Sequence, residues 1–106
     1  MARRYAIDLA PTAFASLRRL ANRKTLRELG EAIDGLAHEP DLQGKPLAAP
    51  LEGIWSIRAA RDHYRVLYEI DETQRRVTVL VVGERRPGEQ SDVYRLAARL
   101  LRDLTT

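Results

Sequence analysis

Arginine supplies nearly all of the positive charge in this chain. Of its 106 residues, 18 are basic and 15 are acidic, which gives a formal net charge of +3, and the only lysines are Lys24 and Lys45. The planar arginine fork binds phosphate by two parallel hydrogen bonds, so this bias favours a phosphate-containing ligand. A genome rich in G and C would produce the same bias without a functional cause.

Other reactive residue types are scarce. The chain contains no cysteine and two histidines, His38 and His63. Disulfides and thiolate chemistry are therefore excluded, and two histidines are too few for most zinc sites. We expect neither a metal nor a cofactor.

Length and composition predict one small domain. A chain of 106 residues has room for a single hydrophobic core, and 44% hydrophobic with 31% charged residues is typical of a folded soluble protein. We therefore expect one domain over residues 1–106. No signal-peptide core follows Arg3 and Arg4, and no apolar run approaches the roughly 20 residues of a membrane span. These features predict a cytoplasmic protein with no membrane partner.

The first half of the chain predicts one strand followed by two helices. Residues 4–9 alternate between the two faces of a strand. A short helix opens at Pro11, and apolar residues then recur at helical spacing. The second helix is predicted to begin at Thr25, which forms a capping-box pair with Glu28, and to end near His38.

The second half predicts a loop, three strands and a helix. Prolines and glycines interrupt any periodicity in residues 40–53, so we expect a loop there. The predicted strands span residues 54–59, 64–70 and 76–82. Short turns between them indicate an antiparallel meander. Ser91 is predicted to cap a terminal helix, whose apolar stripe comprises Val93, Leu96, Ala97, Leu100 and Leu104.

The alternation within these strands separates core from surface. Ser56 and Arg58 are two apart and share one face, opposite Trp55 and Ile57, which we assign to the core. The third strand, VTVLVV, is apolar on both faces, which favours an internal position in the sheet. The fold class is therefore α+β, with an N-terminal strand, a helical hairpin, a three-stranded antiparallel meander and a C-terminal helix.

Three stretches carry a resemblance to a known family: GIWSIRAARDHYRVLYEID, VTVLVVGERR and SDVYRLAARLL. Residues 64–70 fit a family run of tyrosine, arginine, two hydrophobic residues and a second tyrosine. The next strand ends in Gly83, Glu84 and Arg85, and Tyr94 follows a short acidic stretch. In this order, over nearly the whole chain, the sequence resembles the RelE/ParE toxins of bacterial type II toxin–antitoxin systems, and among them the RelE-like branch.

The resemblance implies a ribosome-dependent endoribonuclease. RelE-like enzymes cut messenger RNA in the ribosomal A site by 2′-hydroxyl attack on the adjacent phosphate, which leaves a cyclic phosphate and a 5′-hydroxyl. Carried over by position, Arg58 and Arg65 are implied as phosphate clamps. Arg85 is implied as the group near the leaving oxygen, and Tyr94 as an acid–base or base-stacking residue. Because arginine stays protonated at neutral pH, Arg85 is expected to stabilise charge rather than to donate a proton.

Two departures from the family pattern affect this site. Ser56 stands where the family often has a basic residue, and Arg61 in the following turn is one substitute for the missing charge. We assign Ser56, Arg61 and Arg86 to RNA binding. The stretch RPGEQ, residues 86–90, is longer than usual, which leaves open whether Tyr94 lies in the cleft or is displaced from it.

The same residues have purely structural interpretations. Arg58 and Arg65 can pair with Glu69 on the strand face, and Tyr94 can pack the last helix against the sheet. Tyr68 is assigned to packing, since a large aromatic side chain on an internal strand is usually buried.

The resemblance also implies partners. These are a cognate RelB-like antitoxin, in a toxin–antitoxin hetero-oligomer, and messenger RNA in the ribosomal A site. We assign Val93, Leu96 and Leu100 to antitoxin binding, with a plain intramolecular helix as the alternative. Two other functions stay open: a ParE-like inhibitor of DNA gyrase that cuts no RNA, and a degenerate toxin that acts as the antitoxin-binding subunit of a repressor complex.

Overall fold

The computed structural model describes residues 4–20 and 22–105, with side chains described as far as residue 102. The side chain of Leu104 therefore lies outside the described residues. The elements in chain order are β1 (Ala6–Leu9), α1 (Pro11–Arg19), α2 (Arg23–Gly35), α3 (Pro40–Gln43), β2 (Lys45–Pro46), β3 (Trp55–Ala59), β4 (Tyr64–Asp71), β5 (Arg76–Glu84) and α4 (Val93–Thr105). The predicted α+β class is confirmed.

The five strands form one sheet in the order β1-β5-β4-β3-β2. The predicted meander is confirmed, because β3 and β5 both pair antiparallel with β4. The N-terminal strand β1 pairs in parallel with β5, with Ile7 opposite Val77. As the apolar composition of β5 predicted, this strand has neighbours on both sides.

Each face of the sheet carries its own core. On β4, Val66 and Tyr68 point towards α1 and α2, whereas Leu67 between them points the other way. On that second face Leu67 packs with Val93 and Ala97 of α4. All five side chains are 0–2% exposed, so the packing role predicted for Tyr68 is confirmed.

Two helix starts differ from the sequence prediction. The N-cap of α2 is Asn22, whose side-chain oxygen accepts a hydrogen bond from the backbone N–H of Thr25 at 3.1 Å, so the helix begins before the predicted capping box. At α4 the capping side chain is Asp92, which accepts from the backbone N–H of Tyr94, and the prediction of Ser91 was wrong. In both cases a neighbouring polar residue fills the cap.

The segment predicted as an unbroken loop contains the short helix α3 and the two-residue strand β2, which pairs antiparallel with β3. The hydroxyl of Tyr68 donates to the Pro40 carbonyl at 2.8 Å and holds this segment to the sheet. Gly44 permits the close approach, because a Cβ there would collide with the Tyr68 hydroxyl and lie 2.8 Å from the Ser56 carbonyl oxygen. Among residues 4–20 and 22–105, no helix is both long and apolar enough to cross a bilayer.

Candidate functional site

A cavity of about 600 Å³ opens on the face of the sheet beside the start of α4. Strands β2 and β3, the start of β4, the residue that follows β5 and the first turn of α4 each contribute to it. Its lining includes all four predicted catalytic residues and Ser56: Ser56, Arg58, Arg65, Arg85 and Tyr94. The fold thus brings into one cavity these five residues, which are up to 38 positions apart in the chain.

Arg58 and Arg65 lie opposite each other on β3 and β4. The Arg65 guanidinium donates to the carbonyl oxygens of Asp62, at 2.7 Å, and Tyr64, at 3.0 Å. The Arg58 guanidinium lies 3.5 Å from the Asp62 carboxylate, with 63% of its side chain exposed. The turn residue Asp62, rather than the predicted Glu69, therefore orients both arginines, and Arg58 stays open to a ligand.

Arg85 is held on two sides. Its guanidinium donates to the carboxylate of Asp92 and lies 4.7 Å from the centre of the Tyr94 ring, a cation–π distance. Asp92 is nearly buried, with 4% of its side chain exposed, whereas 34% of Arg85 is exposed. The buried carboxylate thus fixes the arginine, and part of the cation faces the cavity.

The carboxylate of Asp92 joins three segments of the site. Besides Arg85, it accepts hydrogen bonds from the backbone N–H groups of Arg86, at 2.6 Å, and Tyr94, at 3.2 Å. Burial alone would raise the pKa of Asp92, but the hydrogen bonds from Arg85 and these two N–H groups outweigh it, so its pKa lies below the usual range. Asp92 is therefore a charged anchor, which the sequence analysis missed.

Tyr94 lies in the cavity and is not displaced by the longer RPGEQ stretch. The chain from Arg86 to Tyr94, which contains this stretch, folds back on itself, because the backbone N–H groups of Arg86 and Tyr94 bind the same carboxylate. The Tyr94 hydroxyl lies 2.9 Å from the Ser56 hydroxyl, and Ser56 is 8% exposed. Ser56 thus orients the tyrosine hydroxyl in addition to lining the cavity.

Lys45 is a second residue that the sequence analysis missed. It lies on β2, directly opposite Ser56 of β3, and its side chain is exposed and lines the cavity. It therefore supplies a cation beside the position where the family often has a basic residue. Its only sequence signal is that it is one of two lysines in an arginine-rich chain.

The remaining predicted RNA-binding residues lie outside this cavity. Arg61 is exposed at the β3–β4 turn, with a left-handed backbone φ of 56°. Arg86 is also exposed and pairs with Glu84 at 3.1 Å and Glu89 at 3.4 Å. Neither lines the cavity, whereas Lys45 does.

The predicted antitoxin-binding residues differ in how far they are exposed on the surface. Val93 is fully buried, and its side chain lies against Gly83 of β5, so it is closed to a partner while α4 packs on the sheet. Its assignment to antitoxin binding stays a prediction and requires α4 to move off the sheet, because Val93 faces inward from the first turn of α4. Leu96 is 36% exposed, and Leu100 is partly buried beside it in a groove against α1.

The cavity combines cations with hydroxyl groups. Arginine and lysine bind phosphate oxygens and stabilise charge that develops on them, and the tyrosine and serine hydroxyls can donate or accept hydrogen bonds. Among the described residues, no group of three or more His, Cys, Asp and Glu side chains is placed to hold a metal ion. This donor set suits an anionic ligand such as a phosphodiester.

Comparison with known protein families shows to which family this chain belongs. The family model described as the ParE toxin of the type II toxin–antitoxin system parDE matches residues 7–87, which is more than half of the chain. The chain belongs to the RelE/ParE toxins. It is thus a toxin of a type II toxin–antitoxin system, and the resemblance seen in its sequence is confirmed.

Two mycobacterial toxins are similar to this RelE/ParE toxin over most of its length. Toxin RelG of Mycobacterium tuberculosis is 35% identical over 91 residues, which cover 86% of this chain and 97% of that protein. Toxin RelE of the same organism is 33% identical over 81 residues, covering 76% of this chain and 81% of that protein.

Solved structures agree with this assignment. A chain of the RelBE2 toxin–antitoxin complex from M. tuberculosis superposes with a TM-score of 0.69 and 36% identity, over 78% of this toxin and 93% of that chain. A free variant of E. coli RelE gives a TM-score of 0.71 at 21% identity, over 92% of this toxin and 98% of that chain. The latter likeness shows the shared fold.

Proposed function

We propose that this toxin is a ribosome-dependent endoribonuclease that cleaves messenger RNA in the A site by attack of a 2′-hydroxyl on the adjacent phosphate. The observation that carries the proposal is the single cavity that collects Lys45, Arg58, Arg65, Arg85 and Tyr94. The mycobacterial relatives named RelG and RelE support it.

The cations have separate roles in this reaction. Negative charge grows on the phosphate oxygens as the 2′-oxygen attacks and then on the departing 5′-oxygen, so fixed positive groups lower the barrier. Arg58 is open to solvent and takes the incoming phosphate, while Arg65, tied to the turn carbonyls, is a fixed second charge. Arg85, held by Asp92, faces the leaving oxygen as an electrostatic stabiliser.

Tyr94 and Lys45 are the groups that can exchange protons. Arginine does not give up its proton at neutral pH, which leaves the tyrosine hydroxyl and the lysine ammonium for that task. Because Arg85 covers one face of the Tyr94 ring, the hydroxyl, held by Ser56, is the working end of this side chain. We assign Tyr94 to orienting the 2′-hydroxyl and relaying its proton to water, and Lys45 to balancing the phosphate charge beside Ser56. The departing 5′-oxygen takes a proton from water and leaves as a 5′-hydroxyl.

The partners and the location follow from the same assignment. Among structural neighbours, the RelBE2 complex from M. tuberculosis pairs a toxin with its antitoxin. We infer a RelB-like antitoxin as the partner of this chain, in a hetero-oligomer, and a single domain that acts in the cytoplasm on ribosome-bound message.

A second candidate function is inhibition of DNA gyrase without RNA cleavage. It is favoured by the family model, whose description names a ParE toxin. The two candidates differ in what the cavity must do. Gyrase inhibition through protein contact has no need of the hydroxyl pair of Tyr94 and Ser56 or of a buried anchor for Arg85.

Inducible expression in a bacterial host, with 5′ ends mapped on a ribosome-bound message, tests the proposal. We expect cuts within A-site codons, strongly reduced for Arg85→Ala, Tyr94→Phe and Lys45→Ala. Lys24→Ala is the matched control, since it removes the other lysine, which is exposed on α2 outside the cavity, and should leave the cuts unchanged. Growth arrest with no cuts, together with loss of gyrase supercoiling activity in vitro, would replace the nuclease by the gyrase inhibitor.

A further inference from the structure

A second cavity, of about 560 Å³, lies along α4 beside the loop that leads to β3. Three of the residues that line it are arginines of α4: Arg95, Arg99 and Arg102. We call these three residues the arginine stripe. Pro50 and Gln90 lie across from them, and none of the described residues that line this cavity is acidic.

Helical geometry places the stripe on the outer face of α4. Residues at i, i+4 and i+7 fall within an arc of about 60° and extend about 10 Å along the helix axis. Val93 and Ala97, buried against the sheet, lie on the opposite side of the helix. All three arginines are exposed, so their guanidinium groups line the rim of the cavity and face solvent.

Arg95 and Arg99 differ from the arginines that pair with carboxylates. Arg58, Arg76, Arg85 and Arg86 each pair with a carboxylate. For Arg95 and Arg99 no carboxylate partner is found in the part of the chain that the structure describes. Two neighbouring cations without a carboxylate partner, Arg95 and Arg99, produce a positive potential that attracts a polyanion.

The two cavities lie on the same flank of α4. Tyr94 lines the first cavity, and Ala98 and Leu101, which line the second, are at i+4 and i+7 from it and so share its side of the helix. The loop before β3 also serves both, with Leu47 in the first cavity and Pro50 in the second. A strand that leaves the first cavity past Tyr94 therefore meets the arginine stripe next.

We propose that the arginine stripe binds the phosphates of the substrate RNA strand on one side of the scissile linkage. The choice of occupant rests on the proposed function, which puts an RNA strand in the first cavity. A strand carries one phosphate per nucleotide, and each guanidinium can bind a phosphate with two hydrogen bonds. The substrate thus runs from the catalytic cavity along the outer face of α4.

Fluorescence anisotropy with 2′-O-methyl RNA tests the proposal, because such RNA lacks the attacking hydroxyl and cannot be cleaved. The purified toxin is titrated with a labelled trinucleotide, chosen as the short probe for the first cavity, and with a labelled nonanucleotide, which is long enough to extend along α4 as well. We compare Arg95→Ala/Arg99→Ala with Arg23→Ala/Arg27→Ala, a control with the same spacing and charge change on exposed positions of α2.

We expect the stripe variant to bind the nonanucleotide about ten-fold more weakly than the wild type. The slope of log affinity against log salt should fall in magnitude by about 1.4 for two lost contacts with a single strand. Its trinucleotide affinity, and both affinities of the control variant, should stay at the wild-type value.

Three outcomes would overturn the inference. Equal losses in both double variants would mean that only net charge matters. If the stripe variant binds the nonanucleotide normally but binds purified ribosomes more weakly, the stripe contacts ribosomal RNA instead. If it loses affinity only for poly-L-glutamate, used as a model of an acidic protein, the stripe binds an acidic protein partner. Because the probe is never cut, a toxin without nuclease activity can still show binding that depends on the stripe, which separates this inference from the proposed function.

Discussion

Replacement of Asp92 tests whether the candidate site depends on one buried carboxylate. Asp92→Ala removes the acceptor for Arg85 and for the backbone N–H groups of Arg86 and Tyr94. Loss of the helix cap costs about 1 kcal/mol. Loss of a charge-assisted hydrogen bond costs about 1.5–3 kcal/mol, and the lower part of that range applies because Arg85 is 34% exposed. We therefore expect the free energy of unfolding to fall by about 3 kcal/mol.

Two further variants make this number informative. Asp92→Asn keeps a capping oxygen but removes the charge, so it should lose about 1.5 kcal/mol. Asp8→Ala removes the carboxylate that pairs with Arg76 at the sheet surface, where both side chains are 43–50% exposed, and should cost less than about 1 kcal/mol. The assay is urea unfolding followed by the fluorescence of Trp55, the only tryptophan. If Asp92→Ala and Asp8→Ala lose the same free energy, Asp92 is not an anchor.

The pH dependence provides an independent check. The pKa of Asp92 is below its ordinary value in the folded chain, so its stabilisation is complete above the unfolded pKa of about 3.9 and is lost as the pH falls through the folded pKa. The stability difference between the wild type and Asp92→Asn should be constant from about pH 7 to pH 5 and shrink below about pH 4. A difference that persists undiminished at about pH 3 would refute the charged role.

Two more predictions concern the segment that carries Lys45. Gly44→Ala places a methyl group against the Tyr68 hydroxyl and should lower the free energy of unfolding in urea by about 1–3 kcal/mol. The control Gly30→Ala meets open space on α2 and should be neutral or stabilise by up to about 1 kcal/mol. Equal losses of unfolding free energy in the two variants would contradict the steric argument. Tyr68→Phe loses the hydrogen bond to the Pro40 carbonyl, worth about 1 kcal/mol. Burial raises the pKa of Tyr68 to about 12, so the wild type should lose stability as the pH rises from about 10 towards 12, and a loss of the same size in Tyr68→Phe would disprove that assignment.

The periodicity of the sequence was sufficient to predict the meander and the helices but not every boundary. Strand alternation depends on a local side-chain pattern, and it identified β3, β4 and β5 correctly. The caps were wrong by a few residues because Asn22 precedes Thr25 and Asp92 follows Ser91, and each of these residues can cap a helix. The strand β2 was missed because two residues, one of them proline, show no period.

The site was predictable by residue type but not by its contacts. The resemblance selected Arg58, Arg65, Arg85 and Tyr94, which the fold does collect in one cavity. Lys45 was missed because its place beside Ser56 is a matter of strand register between two segments, and a sequence read along one segment does not contain it. Asp92 was also missed, because the sequence does not show that this acidic residue is buried.

The parallel pairing of β1 with β5 has a consequence for how the molecule is made. Ile7 and Val77 are about seventy residues apart, and contacts of that separation form slowly because a long loop must close first. During synthesis β1 therefore remains without its partner strand until β5 is available to pair with it. Arg85 and Tyr94 follow β5 closely in the chain, so the sheet and the cavity both depend on the C-terminal part of the chain. The fold and the candidate site are thus acquired together, once the C-terminal part of the chain is free to pack.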